Sequence, residues 1–319
     1  MRAAIGRCQL DLSGYVVFTE AASGAYVVTP VLAALAGASR VYAMTRATRH
    51  GSVEQIAAGT TELAELAGVS SRIQILGEKS RTALSEADIV TNSGHVRPLD
   101  SETISCLKPG AVIPLMYERW EFRDGDVDLA ACRTRGIRVT GTNERHPGVD
   151  VFSFLGPMAV KLLMDSGCAV YTSRVLLLCD NDFASYIAAG LTAVGADVVS
   201  ASSAMDTSIH GEFDAVLVSR TPASTSALPS AEMLAIAQRW PGAVVAVYWG
   251  DVDRADLQRA RLSFWPREAP AKGHMGILPS DIGPEAIVRL QSGSLKAAEA
   301  LLRHPDDPGH PAHAFGQPV

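Results

Sequence analysis

The chain predicts an α/β protein of two Rossmann-like domains, each a doubly wound parallel sheet, joined by a long helix. Three observations predict it. From residue 14 to 116, short apolar β-type runs alternate with segments of helical period. The same alternation resumes at Arg174 and continues to Tyr248. Between the two lies a long apolar stretch, Val149–Met164, without an internal turn signal.

The first strand is Tyr15–Thr19, and the helix Ala25–Ala36 follows, ended by Gly37. Strand Arg40–Met44 leads to a helix from Val53 to Ala67, with Ser52 as N-cap and Gly68 as stop. Then come strand Arg72–Leu76, a short helix Thr82–Glu86, strand Asp88–Thr91, a helix opened by Asp100, and strand Ala111–Met116. Asp128–Arg135 is a helix closed by Gly136, and Ile137–Thr140 is a sixth strand. The second half reads strand Arg174–Leu178, helix Phe183–Val194, strands Asp197–Ala201 and Ala215–Ser219, helix Ala231–Arg239 and strand Ala243–Tyr248. An amphipathic helix, Asp281–Arg303, ends the ordered part. The expected boundaries are a first domain 1–148, a connecting helix 149–169, a second domain 170–303 and a disordered tail 304–319.

Composition narrows the function. The 319 residues suit two domains, and 47% apolar residues can fill two cores. With a net charge of −6 and no dense basic block, nucleic acid is excluded as the expected partner. No apolar run reaches the length of a bilayer span and the first residues lack the apolar core of a leader, so a soluble cytoplasmic protein away from membranes is expected. The five cysteines show no C-x-x-C spacing, and neither a disulfide framework nor a metal site is expected.

In a parallel sheet all carboxyl ends of strands lie on one edge, where ligands bind. The polar residues that follow the strands of the first half are therefore expected to line one crevice. Glu20, Ser23 and Gly24 follow the first strand, Thr45, Arg46 and Arg49 the second, and Asn92, His95 and Arg97 the fourth. Glu118 and Arg119 follow the fifth, and Asn143, Glu144 and His146 the sixth. His95, Glu118 and His146 are candidate acids or bases. Glu20, Arg97, Arg119, Asn143 and Glu144 are candidate substrate contacts, the arginines for a carboxylate.

A dinucleotide site usually carries G-x-G-x-x-G after its first strand. Neither half has it. The turn Thr19–Tyr26 is made of small residues that still let a phosphate approach the backbone, with Ser23 and Gly24 at its centre. The turn Cys179–Ser185 carries Asp180 and Asp182, which repel a pyrophosphate, so the first domain is the better host. Thr45, Arg46 and Arg49 at the end of the second strand suit a 2′-phosphate, and with Asn92 they favour NADP.

The run Asp126–Thr140 resembles the segment that ends the first domain of D-2-hydroxyacid dehydrogenases, and the long helix after it looks like that family's connecting helix. Val170–Val199 sits where the family has its cofactor domain. The resemblance implies two Rossmann-like domains, a dimer, and NAD-dependent reduction of a 2-oxo acid with Arg, Glu and His in the site. By position, Glu268 or His274 stands for the acidic or imidazole member, whereas Trp249 occupies the place of the substrate arginine and Cys179–Phe183 that of the glycine fingerprint. Ala87–Asn92 followed by Leu107–Gly110 is similar to the cofactor domain of amino-acid dehydrogenases and ornithine-cyclodeaminase-like proteins. The expectation is an NAD(P)-dependent oxidoreductase, a homodimer acting on a small carboxylate-bearing metabolite. The alternative is a lyase, isomerase or cyclase that keeps the scaffold and uses no cofactor.

Overall fold

Branched and aromatic residues such as Val17, Phe18, Val41, Ile89, Val112 and Ile113 are fully buried, which gives the first sheet two apolar faces for helices to cover. The computed structural model describes residues 1–48 and 51–319. Its backbone divides into two units, Met1–Val151 with Gly283–Val319, and Phe152–Ile282.

In the first unit a helix, α1 (Arg2–Cys8), precedes the parallel strands β1 (Val16–Glu20), β2 (Arg40–Met44), β3 (Ile73–Leu76), β4 (Ile89–Val90), β5 (Val112–Pro114) and β6 (Arg138–Thr142). They are ordered 3-2-1-4-5-6, the full dinucleotide-type order, with the topological switch between β1 and β4. The helices start where side-chain acceptors meet the free backbone amides of the first turn. Ser52 and Gln55 form a capping box on α3 (Val53–Leu66). Ser80, Asp100 and Asp128 cap α4 (Arg81–Glu86), α5 (Ser101–Cys106) and α6 (Leu129–Arg135).

Two expected helices start late. Ala25–Ala36 is a 3-10 turn, Gly24–Val27, followed by α2 (Val28–Leu35). Val149–Met164 is a turn with Asp150 in the left-handed region, a 3-10 turn Phe152–Phe154, and then α7 (Leu155–Asp165). Pro30 and Pro157 explain both. A proline lacks the amide that an interior position must donate, so each helix begins where its proline falls in the first turn. The long connecting helix is thus corrected to eleven residues that belong to the second unit.

The second unit holds β7 (Arg174–Cys179), α8 (Phe183–Ala193), β8 (Asp197–Ala201), β9 (Ala215–Ser219), α9 (Ser230–Arg239), β10 (Val244–Trp249), α10 (Arg254–Arg259) and β11 (Ser263–Trp265). Its five parallel strands follow the flavodoxin-like order 2-1-3-4-5, with the switch between β7 and β9. Gly156 of α7 and Gly190 of α8 touch backbone to backbone; a Cβ on Gly190 would lie 2.3 Å from the Gly156 Cα.

The C-terminal segment differs from expectation. The last helix, α11 (Glu285–Arg303), belongs to the first unit and not to a domain spanning 170–303. Its buried Lys296 donates to the Gln9 carbonyl and pairs with Glu299, which accepts from the Asp11 amide. The tail is ordered as well. β12 (Gly316–Pro318) pairs antiparallel with β6, Phe315 is buried, and Asn143 donates to the Ala314 carbonyl. Its polar composition hides this, because the order comes from backbone pairing at a free sheet edge, where proline is tolerated. No helix among the described residues is long and apolar enough to cross a membrane.

Candidate functional site

At the β1–β4 switch of the first unit the strand ends carry buried polar groups. The Thr19 and Thr91 hydroxyls meet at 2.8 Å, and Thr91 meets Ser93. Asn92 accepts from the Met116 amide through Oδ1 at 2.8 Å, while its buried Nδ2 lies by the Tyr117 hydroxyl without a well-formed hydrogen bond. The buried hydroxyl of Thr45, at the end of β2, is likewise unpartnered.

Glu20 closes β1 and is only 5% exposed, and its Oε2 accepts from the His95 amide at 2.9 Å. Burial raises its pKa, against the pull of that amide and of the Arg97 and Arg46 charges. His95 is half-buried; burial and the Arg46 charge lower its pKa against a hydrogen bond with the Ala21 backbone, and its buried Nδ1 has no partner in good geometry. Arg46 is exposed and donates to the Gly94 carbonyl at 3.3 Å. Arg97 pairs with Asp126 at 3.0 Å. Ser23 is half-buried and caps no backbone amide with its side chain. Gly24 has φ of 62° and open space beside its Cα. Arg49, a further expected contact, lies outside the described residues.

Two sets of contacts are seen among the expected residues. Glu20, Arg46, His95 and Arg97 are linked to one another, and Glu118, Glu121 and Glu144 form a carboxyl cluster past the ends of β5 and β6. Glu118 is buried, accepts from the Trp120 indole at 2.6 Å and from the Glu144 amide at 3.2 Å, and faces Arg145 at 4.0 Å. Glu121 accepts from the Glu118 amide at 3.4 Å. Burial and the neighbouring Glu118 charge raise Glu121 to about 7, against the Glu118 backbone and Arg123. Burial, Glu121 and Glu118 raise Glu144 further.

Other expected residues have structural engagements. His146 accepts from the Gly148 amide through Nδ1 at 3.0 Å and packs on Phe315 with centroids 3.7 Å apart, which leaves Nε2 as the nitrogen for chemistry. Asn143 ties β6 to the C-terminal segment through its side-chain amide and its backbone amide. Arg119 is exposed, and its amide donates to Gln317. His274 lies in the second unit on an exposed loop, where its amide donates to the Ala271 carbonyl. Thr19 and Thr91 escaped sequence reasoning because a threonine inside a β-run reads as strand propensity. A groove of about 480 Å³ in the same unit is lined by Pro98, Asp100, Phe122, Asp124 and Arg133 and includes none of the expected residues.

The switch of the second unit is bridged by its own side chains, with the buried Ser219 hydroxyl left unpartnered. Asp180 accepts from the Thr221 amide at 2.9 Å and from its hydroxyl at 3.2 Å. Asn181 donates to the Ser219 carbonyl and the Thr221 hydroxyl. Arg220 is held by both oxygens of Glu232 at 3.0 Å and by the carbonyls of Ser202 and Ala227. The β7–α8 and β9–α9 loops are joined, and no glycine opens a path to the backbone.

No protein-family model and no curated protein matches the chain. Among solved structures it is similar to a dipicolinate synthase chain from Bacillus subtilis, with TM-score 0.57 and 10% identity over 93% of this chain and 100% of that one. The corresponding dipicolinate synthase chain from Bacillus halodurans gives TM-score 0.57 and 10% identity over 92% and 98%. The NAD-dependent formate dehydrogenase of Staphylococcus aureus, in complex with NAD, gives TM-score 0.51 and 15% identity over 83% and 95%. At these identities the likeness is one of fold, that of two Rossmann-like domains.

Proposed function

We propose that the protein is a dinucleotide-dependent oxidoreductase acting on a small carboxylate-bearing metabolite, with NADP held in the first unit. The observation that carries this is the set of buried, unpartnered atoms of Thr45, Asn92 and His95 beside the β1–β4 switch. A buried polar group without a partner costs about 1–3 kcal/mol, a cost offset when a ligand supplies the partner. The fold likeness to a dehydrogenase solved with NAD supports the choice of ligand.

The residues present fit such a group. After β1, Ala21 and Ala22 are small and Gly24 leaves its backbone open, so phosphates can approach the amides of the turn. Thr45 and Arg46 stand where a ribose and its 2′-phosphate are met. The raised pKa of Glu20 reduces its repulsion of an anion. When bound, the nicotinamide supplies or accepts the hydride. Neutral His95 and the Glu20 carboxyl carry the accompanying proton, and Arg97 offers its charge to the substrate carboxylate. We further propose a cytoplasmic homodimer, for which sedimentation should give twice the chain mass.

Calorimetry decides the cofactor. NADPH should bind in the micromolar range and NADH about tenfold more weakly, and no heat with either removes the proposal. The carboxyl cluster favours a second possibility, a lyase, isomerase or cyclase in which Glu121 and Glu144 exchange protons. Turnover without a change in nicotinamide absorbance would select it.

A further inference from the structure

The second unit carries a groove of about 360 Å³ beyond the ends of β9 and β10, remote in sequence from every residue assigned to the dinucleotide. Its floor is Gly250, whose φ of 108° and close approach to Ala227 admit no side chain. One wall is the segment Ala269–Lys272, and the residue after it is pinned: the Gly273 amide donates to Asp251 Oδ1 at 2.9 Å and its carbonyl accepts from the Trp249 indole at 3.2 Å. Groove and wall are thus built by named hydrogen bonds.

Two lining residues of opposite charge are incompletely satisfied. Arg254 donates to the carbonyls of Pro266 and Val252 at 3.2 and 2.9 Å, no carboxylate pairs with it among the described residues, and its buried Nη2 has no acceptor. Asp251 uses Oδ1 on Gly273, and its buried Oδ2 has no donor. The two do not pair with each other. Asp253 is occupied in capping α10, and Lys272 is exposed at the rim. A guanidinium and a carboxylate whose buried atoms ignore one another are costly, and a ligand bearing both complementary charges relieves both.

We propose that this groove is a second small-molecule site that takes an α-amino acid, its carboxylate on Arg254 and Lys272 and its ammonium on Asp251. The site stands independently of the dinucleotide, because no residue is shared. The test is calorimetric titration of the full chain with each of the twenty standard amino acids at millimolar concentration. At least one should bind, and its deamino and decarboxy counterparts should each bind about tenfold or more weakly. Arg254→Met should abolish binding and Arg254→Lys weaken it. Asp251→Asn should remove the preference for the amine over the deamino compound. Melting temperatures identify any variant that fails to fold, and Arg254→Lys and Asp251→Asn then carry the decision. The proposal is overturned if no amino acid binds, or if binding persists unchanged in Arg254→Met and Asp251→Asn. NADPH titration of the same variants separates its failure from that of the dinucleotide proposal.

Discussion

The two switch points carry the same kinds of residue engaged to different degrees. Between β7 and β9, Asp180, Asn181 and Thr221 bond to one another across the two loops, and one buried atom, the Ser219 Oγ, is left without a partner. Between β1 and β4, Asn92 and His95 each keep a buried atom unpaired, as does Thr45 at the end of β2. Polar residues at the end of a strand therefore do not announce a site by themselves. Unspent bonding capacity shared by several of them does, three groups in the first unit against the single Ser219 hydroxyl in the second, because a group that already has its partner gains nothing from a ligand.

Breaking the closed side should produce the largest effect. Arg220→Met leaves Glu232 buried without its partner, and the Glu232 carboxyl, which burial alone would raise, is held below its usual range by Arg220 and the Ala204 amide. Denaturant unfolding should show a loss of about 3 kcal/mol, with NADPH affinity unchanged. On the open side, Asn92→Asp keeps the acceptor for Met116 and replaces the unpartnered donor. NADPH affinity should fall about tenfold, roughly 1.4 kcal/mol, while the fold is retained. If the variant binds as the parent does, the contrast between the switches carries no functional meaning.

A smaller effect concerns pH. Glu121 titrates at about 7 in the fold against 4.5 ordinarily, so the fold binds its proton more tightly. Its contribution to stability is fully present below pH 4.5 and is lost as the pH rises to about 7. Glu121→Gln should flatten that slope and stabilise the protein at pH 8 by about 1 kcal/mol, measured by melting across the pH series. The smallest change expected is that of Thr221→Val, which removes two exposed hydroxyl contacts, to Asp180 and from Asn181, and should cost about 0.5 kcal/mol with no effect on ligand binding.

Much of the fold was legible in local pattern. Arg40–Met44, Asp197–Ala201 and Ala215–Ser219 are strands with the expected bounds, and Ser52, Asp100 and Asp128 cap the helices they were expected to open. What failed was non-local. β12 exists because a sheet edge accepts it, and α11 joins the first unit through Lys296 and Glu299, contacts that no window of neighbouring residues contains. For the site, edge placement brought Glu20 to the His95 amide and Arg46 to Gly94, and Glu118 to Glu144 and Glu121. Thr19, Thr91 and the pairing of Asp180 with Thr221 were invisible, since side-chain hydrogen bonding depends on which loops meet.

The order of segments along the chain also has a temporal consequence. The second unit is one continuous stretch, whereas the first needs α11 and β12 from the last residues. During synthesis on the ribosome, the inserted unit is complete while its host still exposes the apolar surface that α11 will cover. Nascent chains halted near residue 282 should therefore present a protease-resistant second unit beside a protease-sensitive first one.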